Sequence, residues 1–203
     1  FAERTAVAEF TYASAGVDID NADETKRAMA RSLETNDARV LNKIGAFATL
    51  FDGHFPEYQH PVLVLKSEEP GSKQKLAFAH GHYESVCCDL VNHLINDIIV
   101  MGAHPLSMQD VIVCGKMEKE VITRVVGGMA AACRAQDCSL TGGETSEQPG
   151  VVPAGTYILT ASIVGVGEKS QIIDGTKIRA GDQVLAVASN GLHTNGYTLV
   201  RAL

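Results

Sequence analysis

The chain has no apolar run approaching the roughly 18 residues of a membrane-spanning helix, so no membrane partner is expected. It also lacks a basic excess. Seventeen Lys and Arg against 24 Asp and Glu leave a net charge of −7, which argues against DNA or RNA as a partner, because such binding rests on cations that neutralise phosphates. A small phosphorylated ligand stays open, since metal ions and backbone N–H groups can carry that charge. No signal-peptide pattern opens the chain, and none of its loops has the Walker A form. Heptads, solenoid repeats and low-complexity tracts are missing too. Five cysteines without disulfide-scaffold spacing fit a reducing compartment, so a cytoplasmic protein is expected. Cys87-Cys88 is poor zinc-ligand spacing; Cys114, Cys133 and Cys138 read as small buried hydrophobes.

What is present is 45% hydrophobic residues, ample for a packed core, and one conspicuous polar stretch, Ser139 to Gly150, with three glycines, two carboxylates and four hydroxyls. Read alone it is either a loop presenting N–H groups to an anion, with a carboxylate beside it for a metal, or an ordinary surface turn. Asn21 with Glu24 has the form of a capping box opening a helix that ends near Asn36 or Asp37. A Gly-containing stretch, Ile44 to Ala48, leads to a polar loop at 52–60, and Pro61 to Leu65 reads as a buried strand before a charged turn at 66–73.

The segment Ser85 to Met101 is the most informative helix. At 100° per residue, Asp89, Asn92, His93, Asn96 and Asp97 share one face, opposite Leu90, Val91, Leu94, Ile95, Ile98 and Met101. A plain solvated face would carry Lys, Arg and Glu; this stripe of short side chains points to a functional surface. Gly102 to Pro105 stops the helix, and Met108 to Cys114 follows as a strand with an unexpected charge, Asp110. A second helix is expected over 117–135, close-packed at Gly127-Gly128, then a strand from Thr156 to Gly165. A short hairpin-like region lies between Asp174-Gly175 and Ala180-Gly181-Asp182. Gln183 to Ala188 then reads as a further buried strand, running through a glycine-bearing loop, 189–196, into a helix at Tyr197, a common anion-binding arrangement. The chain starts at Phe1 and stops inside that helix, so both ends are expected to be cut and a second domain to continue.

Six stretches in order, Ala15 to Ile19, Cys88 to Ile98, Met101 to Leu106, Gly142 to Gly150, Gly165 to Gly175 and Leu192 to Tyr197, closely resemble the aminoimidazole ribonucleotide synthetase (phosphoribosylformylglycinamidine cyclo-ligase, PurM) family. The resemblance implies an α+β fold, a mixed sheet with helices on one face that completes a β-barrel across a homodimer. It divides the chain into an ATP-binding and dimerisation domain over 1–170, with an arm at 1–14, and the start of a second α/β domain over 171–203. It implies an ATP- and Mg²⁺-dependent closure of the imidazole ring of formylglycinamidine ribonucleotide, in which the amide oxygen is phosphorylated and the amidine nitrogen attacks.

By position, the resemblance places Ser72, Lys73, Asp89, Asn96, Gly142, Gly143, Glu144 and Thr145 at the nucleotide. It places Glu68, Asp89, Asp97 and Glu144 at the metal, and His193, Thr194, Asn195 and Gly196 at the substrate. Asp97, His193 and Lys73 are the expected catalytic residues. One departure stands out. Ser67-Glu68-Glu69-Pro70-Gly71-Ser72-Lys73 replaces the family's Thr-Asp-Gly-Val-Gly-Thr-Lys, and Pro70 removes a backbone donor. That leaves two alternatives: a divergent relative of the selenophosphate synthetase, thiamine-phosphate kinase or hydrogenase-maturation type, or a non-catalytic dimeric scaffold or nucleotide sensor.

Overall fold

The computed structural model describes residues 11–42 and 46–203. Most of the expected arm, and Ile44-Gly45 of the stretch before the polar loop, lie outside them. Helix α1 (Ile19–Ser32) starts earlier than the capping-box reading placed it: Asp18 is the N-cap, its carboxylate accepting from the Asn21 N–H at 3.0 Å. It also ends earlier, at Ser32 rather than near Asn36. The remaining elements are β1 (Pro61–Glu68), α2 (Lys73–Ala79), α3 (Tyr83–Ile99), β2 (His104–Cys114), α4 (Lys119–Ala135), β3 (Ser139–Glu147), β4 (Tyr157–Glu168) and α5 (Tyr197–Val200), with a 3₁₀ turn at Lys169–Gln171.

The four strands form one mixed sheet in the order β1-β4-β2-β3, antiparallel except for the β2–β3 pair, which α4 connects. Helices α3 and α4 cover one face. From α3 come Leu90, Val91, Leu94 and Ile98, and from α4 Ile122, Val125 and Met129; they meet the inward residues Met108, Ile112, Leu159 and Ile163, all buried. The Gly127-Gly128 reading holds at Gly128, where a Cβ would lie 3.0 Å from the Glu84 Cα, so the small residue lets the helices approach. The amphipathic reading of α3 holds for the same physical reason, except that Met101 lies beyond the helix and is exposed.

Among the described residues, the other sheet face is open. Strand β1 is not the buried strand expected: it lies at the sheet edge and alternates, with Leu63 and Leu65 58% and 69% exposed. Val111 of β2 and Ile158 of β4 are exposed too. The segment 183–188 is likewise neither paired nor buried; Val184, Leu185 and Val187 face solvent. A strand forms only against a partner, and the described residues supply none there.

From Ser139 to Glu147 the glycine stretch is a strand, β3, and only its end, Gln148 to Gly150, is a turn. Its apolar start, Leu140, packs in the core, and pairing with β2 absorbs the backbone groups a loop would expose. The register slips at Thr141, where Leu140 pairs with Met108 but Gly142 with Gln109. Gly142 takes φ +144° at this bulge, a conformation open to glycine.

Candidate functional site

Two side chains separated by two residues on a strand face the same way, so Lys66 and Glu68 both point to the helix side of β1. There they meet the α3 stripe. The Lys66 ammonium lies 2.8 Å from Glu68 Oε1 and 3.2 Å from Asp97 Oδ2, and His93 Nε2 stands 3.8 Å from the same Asp97 oxygen. One ligand atom from each of Glu68, His93 and Asp97 falls within 4.8 Å of the others. The Nδ1 atom of His93 is buried and has no hydrogen-bond partner among the described residues.

The β1–α2 turn supplies a second lysine. Lys73, buried at the start of α2, pairs with Asp89 at 2.9 Å and donates to the His193 carbonyl at 3.2 Å and the Thr194 hydroxyl at 3.3 Å. Its ammonium also lies 5.8 Å from the Tyr197 ring centroid, within cation–π range. The His193 ring meets His93 edge-on at a centroid distance of 5.9 Å. Thus Lys73, Asp89, Asp97, Glu68 and the 193–194 loop come together, with Ser72 as the N-cap of α2 beside them. Asn96 sits exposed on the same helix, while Asn195 and Gly196 are exposed where α5 begins.

The electrostatics of this corner are paired. Hydrogen bonds to Glu68 and then Asp97 hold the Lys66 ammonium above the usual lysine range, and the same contact holds Glu68 below the usual carboxylate range. Hard carboxylate oxygens suit Mg²⁺, whereas an imidazole among them extends the set toward borderline divalent ions.

Gly142, Gly143, Glu144 and Thr145 lie elsewhere, on β3 at the opposite sheet edge, with β4 and β2 between it and β1. Glu144 pairs in register with Val111 of the open face. A cavity of about 1280 Å³ runs between Gly142, Gly143 and Glu144, α1 and residues 34–36, 40–42 and 46–49, and Asp110 lines it. Asp110 is only 4% exposed, and burial pushes its carboxyl up to about 7. It rests against Gly143: a Cβ there would overlap its carboxylate and carbonyl oxygens.

Sequence reasoning missed Lys66, although its spacing of two from Glu68 on a strand was a usable signal. It flagged Asp110 only as an oddity, and His93 only as a member of the stripe.

A family model described as AIR synthase related protein, N-terminal domain, matches residues 62–167, just over half of the chain. A protein named phosphoribosylformylglycinamidine cyclo-ligase from Magnetococcus marinus is 44% identical over 95% of this chain and 55% of its own length. One of the same name from Nitrosospira multiformis is 45% identical over 95% of this chain and 55% of its own length. The chain spans about half the length of the curated relatives it matches. Among solved structures, hydrogenase maturation protein HypE in complex with ATP has the same fold, with a TM-score of 0.55 and 17% identity over 82% of this chain and 45% of that one. The family match and the identity of these relatives lead to one statement: the chain belongs to the AIR synthase related family and carries its N-terminal domain.

Proposed function

We propose that this chain is the nucleotide-binding half of an ATP-dependent cyclo-ligase that converts formylglycinamidine ribonucleotide to aminoimidazole ribonucleotide, ADP and phosphate. The observation that carries the reading is identity of about 44% over 95% of the chain to proteins named for that activity. ATP phosphorylates the amide oxygen; the amidine nitrogen attacks the same carbon and phosphate leaves. Such a transfer asks a protein mainly for positioning and charge neutralisation.

In this reading the α3 corner receives the polyphosphate. Lys73, buried and anchored, contacts phosphate; Ser72 and Asn96 flank it. Asp89, Asp97 and Glu68 supply oxygens to Mg²⁺, whose chemistry when bound is neutralisation of the oxygens on the transferred group. His193, Thr194, Asn195 and Gly196 approach the substrate from the other wall. Residues 1–170 form the first domain and 171–203 open a second, whose strand 183–188 pairs once the remainder of that domain is present.

Gly142, Gly143, Glu144 and Thr145 join the site through a second copy of the chain. The exposed Leu63, Leu65, Val111 and Ile158 on the open face support a homodimer that closes the sheet into a barrel. If so, mixing inactive Asp97→Ala and Glu144→Ala dimers returns about a quarter of wild-type activity, because half of the exchanged dimers hold one intact site. No recovery would place both residues' action within one subunit.

The reading is tested by incubating the full-length protein with ATP, Mg²⁺ and formylglycinamidine ribonucleotide. Aminoimidazole ribonucleotide and ADP are expected in equal amounts. ATP turnover without the aminoimidazole would favour the second reading, a relative acting on another substrate, for which the altered 67–73 segment speaks.

A further inference from the structure

Three side chains, Glu68, His93 and Asp97, present donor atoms at a spacing that suits one cation, and Lys66 places its ammonium against two of them. The arrangement is built by the fold rather than by chance surface proximity. Lys66 and Glu68 are held in register by β1 pairing with β4, where Lys66 faces Ile163 and Glu68 faces Ala161. Asp97 and His93 are one turn apart on a helix whose opposite side is fully buried. The lysine side chain is about 39% exposed, so it can leave without disturbing the core.

We propose that Lys66 is a tethered cation occupying the position a divalent ion would take between Glu68 and Asp97, and that it governs metal entry at this corner. An ammonium satisfies the two carboxylates electrostatically while offering no open coordination position. A divalent ion entering alone must displace it and sit beside a positive charge. An entering polyphosphate removes that obstacle, because the freed ammonium can swing from carboxylate to phosphate oxygens. Metal uptake is therefore coupled to the anionic ligand. His93 gives the vacated set a nitrogen donor, so it then favours Mn²⁺ or Zn²⁺ over Mg²⁺. This rests on the nucleotide reading of the corner for the identity of the anion, but not for the competition between lysine and metal.

The test is Mn²⁺ binding to the full-length protein without nucleotide, followed by electron paramagnetic resonance or calorimetry. Wild type is expected to bind weakly at this corner, and Lys66→Met to bind at least about tenfold more tightly, since one charge a few ångströms away is removed. Lys66→Arg, which keeps the charge, should stay close to wild type. Adding His93→Ala to Lys66→Met should erase most of the gain. Adding inorganic triphosphate should raise Mn²⁺ affinity in wild type more than in Lys66→Met. Unchanged or weaker Mn²⁺ binding in Lys66→Met, with a native circular dichroism spectrum, overturns the proposal. A gain in Lys66→Met alongside absent ATP binding would instead sink the nucleotide reading and leave the lysine's role standing.

Discussion

The two polar regions of this molecule handle buried or half-buried carboxylates in opposite ways. At the α3 corner every acidic side chain named above has a cation: Asp89 has Lys73, while Glu68 and Asp97 share Lys66. On the β2–β3 side, Asp110 is more deeply buried than any of these, and among the described residues no cation contributes to its ionisation. The pairs at the corner are ready to be exchanged for a ligand's charges. Burial instead pushes the Asp110 carboxyl toward its protonated form. The difference shows that a carboxylate's partner, more than its depth, decides what it offers to a ligand.

The sharpest way to break this contrast is pH. The folded-state value of Asp110, about 7, lies above its ordinary value near 3.9, so between these limits the folded protein holds the extra proton. Its contribution to stability is therefore greatest below about pH 4 and declines as pH rises through about 7, by roughly 4 kcal/mol at most. Lys26, Glu34 and Glu144 line the same cavity, and the Cys87 and Cys133 thiols lie on the interior side. Asp110→Asn should remove that part of the slope, measured as the difference in urea unfolding free energy between the two proteins from pH 4.5 to pH 8. Parallel slopes would show that Asp110 is ionised throughout.

Next in size is Gly143→Ala. Its Cβ would collide with both the carbonyl and the carboxylate of Asp110, so a loss of about 3 kcal/mol is expected in urea unfolding. A loss below about 0.5 kcal/mol would mean that the strand shifts easily and that the fit of Asp110 is loose. On the other side, Lys73→Ala removes a buried ammonium from a carboxylate, a carbonyl and a hydroxyl together, and should cost about 2 kcal/mol. The same variant should free the 193–194 loop, read as faster amide exchange there. Smallest is Lys66→Ala. Its pairs are partly open to solvent, so stability should change by less than about 1 kcal/mol even though metal binding changes.

Periodicity made α3 and α4 legible, because an amphipathic helix writes its buried face into the sequence every three or four residues. The polar stripe was legible for the same reason, and the structure turns it toward Lys66 and Lys73. Strand burial was less legible. Pro61 to Leu65 is continuous in apolar residues, yet it alternates in exposure, because composition cannot say whether a sheet's second face has a cover. Ser139 to Glu147 misled in the opposite direction. Its glycines and hydroxyls suggest a loop, but Gly142 serves a bulge and Gly143 makes room for Asp110, needs that arise only once β2 lies alongside. The partnership of Lys66 with Asp97 could not be read either, since it joins a strand and a helix across 31 positions, 97 − 66, of chain.

The central claim is that the α3 corner is the nucleotide's polyphosphate site, and it is tested most directly by titrating Mg-ATP into the full-length protein and its Asp97→Ala variant by calorimetry. Saturable one-to-one binding per chain in wild type, weakened at least about a hundredfold in the variant, is the predicted result, since one partner of a charged cluster is lost. Equal affinity in the two proteins, with the variant folded, would contradict it and move the nucleotide away from α3.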